Sequence, residues 1–432
     1  MNRKSVLVLS LAAVMVAGAV FTGASLARST STITINAWVR DYPLDQDSPY
    51  KSAKKKFEKL HPGVKINLLG FPGDVLHQKV LLSKAGGPKP DIMQTDTIWL
   101  GEFAQQGIAS NLDSYYANWK DKSDYSPSFL NSSRWKGHYY GVWLNTDVRL
   151  MLWNKDIFRQ AGLNPDKGPQ TWSQLVAAGK QIQSKVPGTA GVGINAAASE
   201  DTADFWYPLL WMSGGDILNK SWTKATFNSP AGVRALQFYV DLVNKYQVTP
   251  KDVITQQSSD VEQALLSGSY GIVLSQSGGG YGDFTELKTP AQFEKKIGNA
   301  LIPRCPGCKP TSGSGGWLLT VNSASQNKDL AWEYITMVTD GQNALPFDYA
   351  QSVIPVRKSV IRKYKNGVSK YPYSQVVASA YAVTHFRPWV PTYTKFVEQI
   401  YTAIEKAVAG KATAKAALDS AAAKTNKILS SG

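Results

Sequence analysis

The stretch Val142-Trp143-Leu144-Asn145-Thr146-Asp147-Val148-Arg149-Leu150 alternates aromatic or polar residues with mostly apolar ones. If it is extended, Trp143, Asn145, Asp147 and Arg149 share one face, and Val142, Leu144, Val148 and Leu150 fill the other. An indole plane, an amide, a carboxylate and a guanidinium together suit a sugar. Its C–H faces stack on aromatic rings and its hydroxyl rim takes paired hydrogen bonds. A solvated edge strand would show the same alternation.

Other residues could join such a site. Phe205-Trp206-Tyr207-Pro208 and Trp211 form a second aromatic cluster, although rings at helical spacing serve a core equally well. Gly278-Gly279-Gly280-Tyr281 and the run from Ser312 through Gly316 to Trp317 are loops whose missing side chains let backbone N–H groups approach a ligand, or are plain turns. Neither ends in the Lys-Ser/Thr of a phosphate-binding loop, which argues against nucleotide hydrolysis. Arg387, in His385-Phe386-Arg387-Pro388-Trp389, could meet a hydroxyl or an anion, or simply lie on the surface.

Catalysis has little support. His61, His77, His138 and His385 are scattered without metal-ligand spacing, no Gly-x-Ser-x-Gly elbow occurs, and no cofactor or metal is expected. Asp41, Asp96 and Asp147 could in principle supply the two carboxylates of a glycosidase, a geometry that the sequence leaves open. Cys305-Pro306-Gly307-Cys308 suits a type II turn closed by a local disulfide. A redox dithiol normally opens a helix, which Gly307 and Lys309-Pro310 would break.

The chain has 432 residues, 43% of them apolar and 18% charged, long enough for two packed domains. Its formal charge of +15 is spread widely, with Lys51, Lys54, Lys55, Lys56 and Lys59 on one helix as a solvated face. Nucleic acid would call for a basic patch interleaved with exposed aromatics and is not expected as a partner. An anionic solute such as a sugar phosphate or glycerophosphodiester is the alternative to a neutral sugar, with Arg40, Arg149 and Arg387 as its candidate ligands.

Arg3 and Lys4 precede an uncharged run from Ser5 to Ala27 that ends in small residues, which reads as a signal peptide over 1–27. The protein is therefore expected to be exported, periplasmic or in the cell envelope, and soluble after cleavage. No Cys near the cut supports a lipid anchor, and no later apolar run is long enough to span a bilayer.

The elements that must hold these residues follow from periodicity. Ile33, Ile35 and Ala37 alternate as a strand that ends before Trp38. Ser48-Pro49 starts a helix carrying Tyr50, Ala53, Phe57 and Leu60 on one stripe, and Val64, Ile66 and Leu68 form the next strand. A helix over 74–84 and a strand over 91–95 repeat the unit. Such short strand–helix–strand connections predict a parallel sheet with ligands beyond its carboxyl ends, which places Arg40, Asp41, Thr95, Asp96 and Trp99 at a binding edge. Residues 140–153 read as extended, Thr171 caps a helix, and helices over 393–409 and 413–429 close the chain.

Gly137-His138-Tyr139-Tyr140-Gly141-Val142, Leu152-Trp153-Asn154-Lys155-Asp156-Ile157-Phe158, Ala161-Gly162-Leu163 and Thr171-Trp172 together resemble the carbohydrate-type extracellular solute-binding proteins of ABC importers, the group of maltose and trehalose binders. Leu266-Ser267-Gly268-Ser269-Tyr270-Gly271-Ile272, Gly315-Gly316-Trp317 and Ala407-Val408-Ala409-Gly410 support the resemblance. Trp143 stands where that family usually has Pro. The resemblance implies an α/β, two-lobed periplasmic-binding-protein fold, each lobe a mainly parallel sheet flanked by helices, with three hinge crossings. It places lobe one at 28–145 plus 298–339 and lobe two at 146–297 plus 340–432. It also puts a ligand-binding Asp at Asp147, and implies a sugar-binding monomer that delivers its ligand to the importer's transmembrane subunits.

Overall fold

In the computed structural model, which describes residues 32–40, 48–276, 290–341, 354–366 and 374–431, two sheets carry the helices. β1 (Ile33–Arg40) pairs in parallel with β2 (Val64–Phe71) and β3 (Ile92–Asp96), as the strand–helix–strand pattern requires. The Ser48 hydroxyl accepts the Lys51 N–H at 3.3 Å, Pro49 occupies the first turn where no donor is needed, and Tyr50, Ala53 and Phe57 turn inward. Leu60, the last residue of that helix, is exposed. β1 does not end before Trp38. Trp38 pairs with Leu69 and Arg40 with Phe71, and residues Ala37 to Val39 are buried on both faces, where a strand carries no polar alternation.

The expected extended run over 140–153 is two strands, β6 (Val142–Thr146) and β7 (Arg149–Asn154), preceded by the short pair β4 (Arg134–Trp135) and β5 (His138–Tyr139). β8 (Ala190–Gly193), β9 (Tyr270–Gln276), β10 (Ile297–Ala300), β11 (Ser312–Ser314), β12 (Gly316–Val321), β13 (Ile354–Pro355) and β14 (Thr384–Phe386) complete the described strands. The first sheet has the order β13-β6-β12-β3-β1-β2 and the second β10-β7-β9-β8, so β6 and β7 lie in different sheets. The sheets are mixed rather than mainly parallel: β12 runs antiparallel to β3 and β6, and β7 antiparallel to β9 and β10. β13 pairs with β6 in the first sheet, although the sequence division put residues 340–432 in lobe two. A two-residue strand has no periodicity by which to place it.

The chain thus passes from the first sheet to the second at Asp147-Val148 and returns between β10 and β12. After β13 it leads to the helices Tyr393–Val408 and Ala414–Ser431, which pack on Glu200–Met212 and Pro230–Asn244. β11 and β14 pair in parallel between the two sheets. The crossings are laced together. The Ser312 hydroxyl donates to the Arg149 carbonyl at 2.8 Å and accepts the Arg149 N–H at 3.0 Å, and the Thr146 and Ser314 hydroxyls meet at 2.6 Å. Nearby, Cys305 and Cys308 are disulfide-bonded with Cα atoms 5.2 Å apart. Gly307 takes φ +74° in the turn that the Cys308 N–H closes onto the Cys305 carbonyl.

Candidate ligand-binding cleft

Where the crossings meet, ion pairs run from one sheet to the other. Asp96 ends β3 and caps the following turn through the Ile98 N–H; its Oδ1 lies 3.3 Å from Arg387 Nη2. Arg387 Nη1 lies 2.7 Å from Glu200 Oε1 and 3.5 Å from Asp204 Oδ2. Glu200 and Asp204 are four residues apart on the helix Glu200–Met212 and so face the same way. Asp204 also pairs with Arg149 Nη2, and Arg149 Nη1 lies 2.8 Å from Asp147 Oδ1. The Gly315 N–H donates to that same oxygen at 2.7 Å. A Cβ on Gly315 would come within 2.9 Å of Arg387 Nη2 and 3.0 Å of Asp147 Oδ1, so only glycine fits without displacing the pair.

Four carboxylates therefore share two guanidiniums. Arg149, Arg387 and Asp204 are almost fully buried, while Glu200 keeps 30% of its side chain exposed. Burial raises Asp96 from its ordinary value despite the opposing pull of Arg387. Burial likewise pushes Glu200 up to about 7, against the pull of Arg387 and with the push of Asp204, Asp201 and Asp96. For Arg149, burial favours the neutral form, but Asp147 and Asp204 outweigh it and hold the guanidinium above its usual value. Tyr393 donates to Glu200 Oε1 at 2.9 Å.

Aromatic surface lies at the carboxyl ends of the first sheet. Trp317 meets Trp99 edge-on at 5.5 Å, and Arg40 lies over its ring at 4.9 Å. Trp99 stacks on His77 at 4.8 Å, and Trp38 meets Phe71 edge-on. Trp317 and Phe71 are half-buried, Lys79 lying over the Phe71 ring at 5.0 Å, whereas Trp99 is nearly covered.

The structure brings together Asp96, Asp147, Arg149 and Arg387, with Arg40, Trp99 and Trp317 along the wall of lobe one. It does not support one shared face from Trp143 to Arg149, because the strand breaks at Asp147-Val148. Trp143 is a core residue, its ring against Phe129 and its indole N–H donated to the Phe129 carbonyl at 2.9 Å. Asn145 and Trp206 are fully buried, the Asn145 amide and the Trp206 indole N–H having no hydrogen-bond partner among the described residues. Trp211, at the far end of the Glu200–Met212 helix, stacks on His385 at 5.2 Å and helps wall a cavity of about 580 Å³. Gly316 takes φ +134° and lets β12 approach β6, where a Cβ would lie 2.5 Å from the Asn145 carbonyl. Asp41, Gly279 and Tyr281 lie outside the described residues. Glu200, Asp204 and Tyr393 were not expected at the site, although the four-residue spacing of the two acids was readable.

Residues 42–344 match the family of bacterial extracellular solute-binding proteins. The chain belongs to that family. A binding protein of Brucella abortus (strain 2308) is 28% identical over 411 residues, 94% of this chain and 95% of its own length. The maltotriose-binding protein of Pyrococcus abyssi is 24% identical, covering 77% of this chain and 69% of that one. Among solved structures, an ABC transporter solute-binding protein of Thermotoga lettingae bound to alpha-D-tagatose superposes with a TM-score of 0.80 at 28% identity, over 92% of this chain and all of that one. Maltose-bound T. maritima MalE3 gives 0.77 at 25% identity, also over 92% and all. The two-lobed fold is that of this family, and the protein is a solute-binding protein. Among the described residues no helix is long and apolar enough to cross a membrane.

Proposed function

We propose that the protein binds a non-anionic mono- or oligosaccharide between its lobes and delivers it to the membrane subunits of an ABC importer, after export and loss of residues 1–27. The charge balance of the cleft carries this reading. An anionic solute needs free guanidiniums, and Arg149 and Arg387 are each already flanked by carboxylates from two directions. A phosphate placed there would face four carboxylates at close range. That weighs against a sugar phosphate, even though a relative in Rhizobium meliloti is named for binding sn-glycerol-3-phosphate. Sugar hydroxyls, by contrast, can both donate to the carboxylates and accept from the guanidiniums. The half-buried Trp317 and Phe71 supply stacking surface. The names of the relatives from Pyrococcus abyssi and T. maritima point to the same ligand class.

Binding without turnover fits the same geometry. A glycosidase needs one acid and one base directed at a scissile bond. Here Asp96, Asp147, Glu200 and Asp204 are all engaged by guanidinium or N–H groups. A calorimetric screen of the purified protein tests the reading. A non-anionic sugar should bind with a micromolar or tighter dissociation constant, about 8 kcal/mol. Heat only with phosphorylated or acidic solutes would overturn it, and release of reducing sugar by the pure protein would show an enzyme.

A further inference from the structure

The ion-pair chain of the cleft is not electrically closed. Among the described residues the ion pairs of Asp96, Asp147, Glu200 and Asp204 run to Arg149 and Arg387, and even with Glu200, pushed up to about 7, partly protonated at neutral pH, the other three carboxylates outnumber the two guanidiniums. Carboxylates withdrawn from water without a full set of cations are costly, and the cost falls when a positive charge completes the set. One oxygen marks where that charge is missing. Asp204 has 2% of its side chain exposed, and while its Oδ2 serves Arg149 and Arg387, its Oδ1 is buried with no hydrogen-bond partner. The same centre also leaves donors unmet, because Arg387 Nε and Arg149 Nε are buried without acceptors.

We propose that the carbohydrate taken up by this cleft is an amino sugar, whose ammonium is seated by Asp204 and whose neighbouring hydroxyl accepts from the adjacent guanidiniums. The inference rests on the carbohydrate reading above and narrows it. A neutral sugar can donate a hydroxyl to Asp204 Oδ1 but leaves the excess negative charge in place. An ammonium does both, through a charge-assisted hydrogen bond in a site largely shielded from water. An N-acetylated sugar loses the charge and adds bulk at the same atom.

The test is calorimetry on the whole protein at neutral pH with matched pairs: D-glucosamine and D-glucose, D-galactosamine and D-galactose, and the glucosamine disaccharide and cellobiose, each with its N-acetyl form. In at least one pair the amine should bind about tenfold or more tightly than the neutral parent, equivalent to ~1.4 kcal/mol, and the N-acetyl form no better than the parent. Asp204→Asn should bring the ratio towards one; if that variant fails to fold, the comparison of amine, neutral parent and N-acetyl form on the unaltered protein decides. Neutral parents that bind as well as or better than their amines would overturn the inference and leave the carbohydrate reading standing. Failure of every sugar, amine or neutral, to bind would sink the carbohydrate reading itself.

Discussion

Asp96, at the end of β3 in the first sheet, and Glu200, at the start of the helix Glu200–Met212, share one guanidinium, with Arg387 Nη2 3.3 Å from the first and Nη1 2.7 Å from the second. Arg387 follows β14, which pairs with β11 between the sheets. The side chain that ties the lobes is thus anchored on the hinge, and any opening that parts the lobes must release one of the two carboxylates.

Arg387→Met should therefore cost far more than an ordinary surface change. It leaves Asp96, Glu200 and Asp204 without their common cation, and breaking a buried pair from one side typically costs about 3–5 kcal/mol. Denaturant unfolding at neutral pH reads the loss directly. A change below about 1 kcal/mol, the range of exposed ion pairs, would mean that the network is open to solvent.

Glu200 gives the protein a pH signature of definite sign. Its carboxyl titrates near 7 in the folded chain against an ordinary 4.5, so between those values the folded state holds a proton that the unfolded state has released. The resulting stability is complete below about pH 4.5 and is lost as pH rises through about 7. Asp96, also raised, acts in the same direction, whereas His385, lowered mainly by burial, acts oppositely as pH falls. The thermal midpoint of the wild type minus that of Glu200→Gln should accordingly fall from pH 5 to pH 8. A flat difference would place Glu200 in an ordinary solvated environment, and a rising one would mean that Arg387 outweighs burial and holds the carboxylate ionised.

Two tryptophans separate core from cleft. Trp143→Ala removes a fully buried ring and its hydrogen bond to Phe129, and should destabilise the fold by about 3–5 kcal/mol. Trp317→Ala, at a half-buried ring on the wall of lobe one, should cost less stability and weaken sugar binding about tenfold or more. Parallel unfolding and binding titrations check the pair, and the reverse assignment would return Trp143 to the site.

The sequence showed most where local rules act alone. The Ser48-Pro49 cap, the Thr171 cap that accepts the Gln174 N–H, and the alternation of Ile35 and Ala37 all appear at their positions. It showed least at the hinge. Alternation holds only within one strand, so the break at Asp147-Val148 turned Trp143 and Arg149 to unrelated surroundings while the pattern ran on unbroken. β11 and β14 are three residues each, too short for any period, yet they anchor Arg387 and bring Gly315 to Asp147. Glu200 and Asp204 were overshadowed by the aromatic residues of their own helix, and their role depends on cations 55 and 187 residues away in the chain.

Transport coupling requires that one solute be held between two lobes that close on it. Small-angle scattering of the same protein with and without a saturating sugar, binding having been confirmed by calorimetry, tests it most directly. The radius of gyration should fall when sugar is added, because the bound form is favoured only through its higher affinity for the closed arrangement that joins Asp96 to Arg387 and Glu200. An unchanged radius with sugar bound would contradict that coupling and mean that the site is preformed in a rigid molecule.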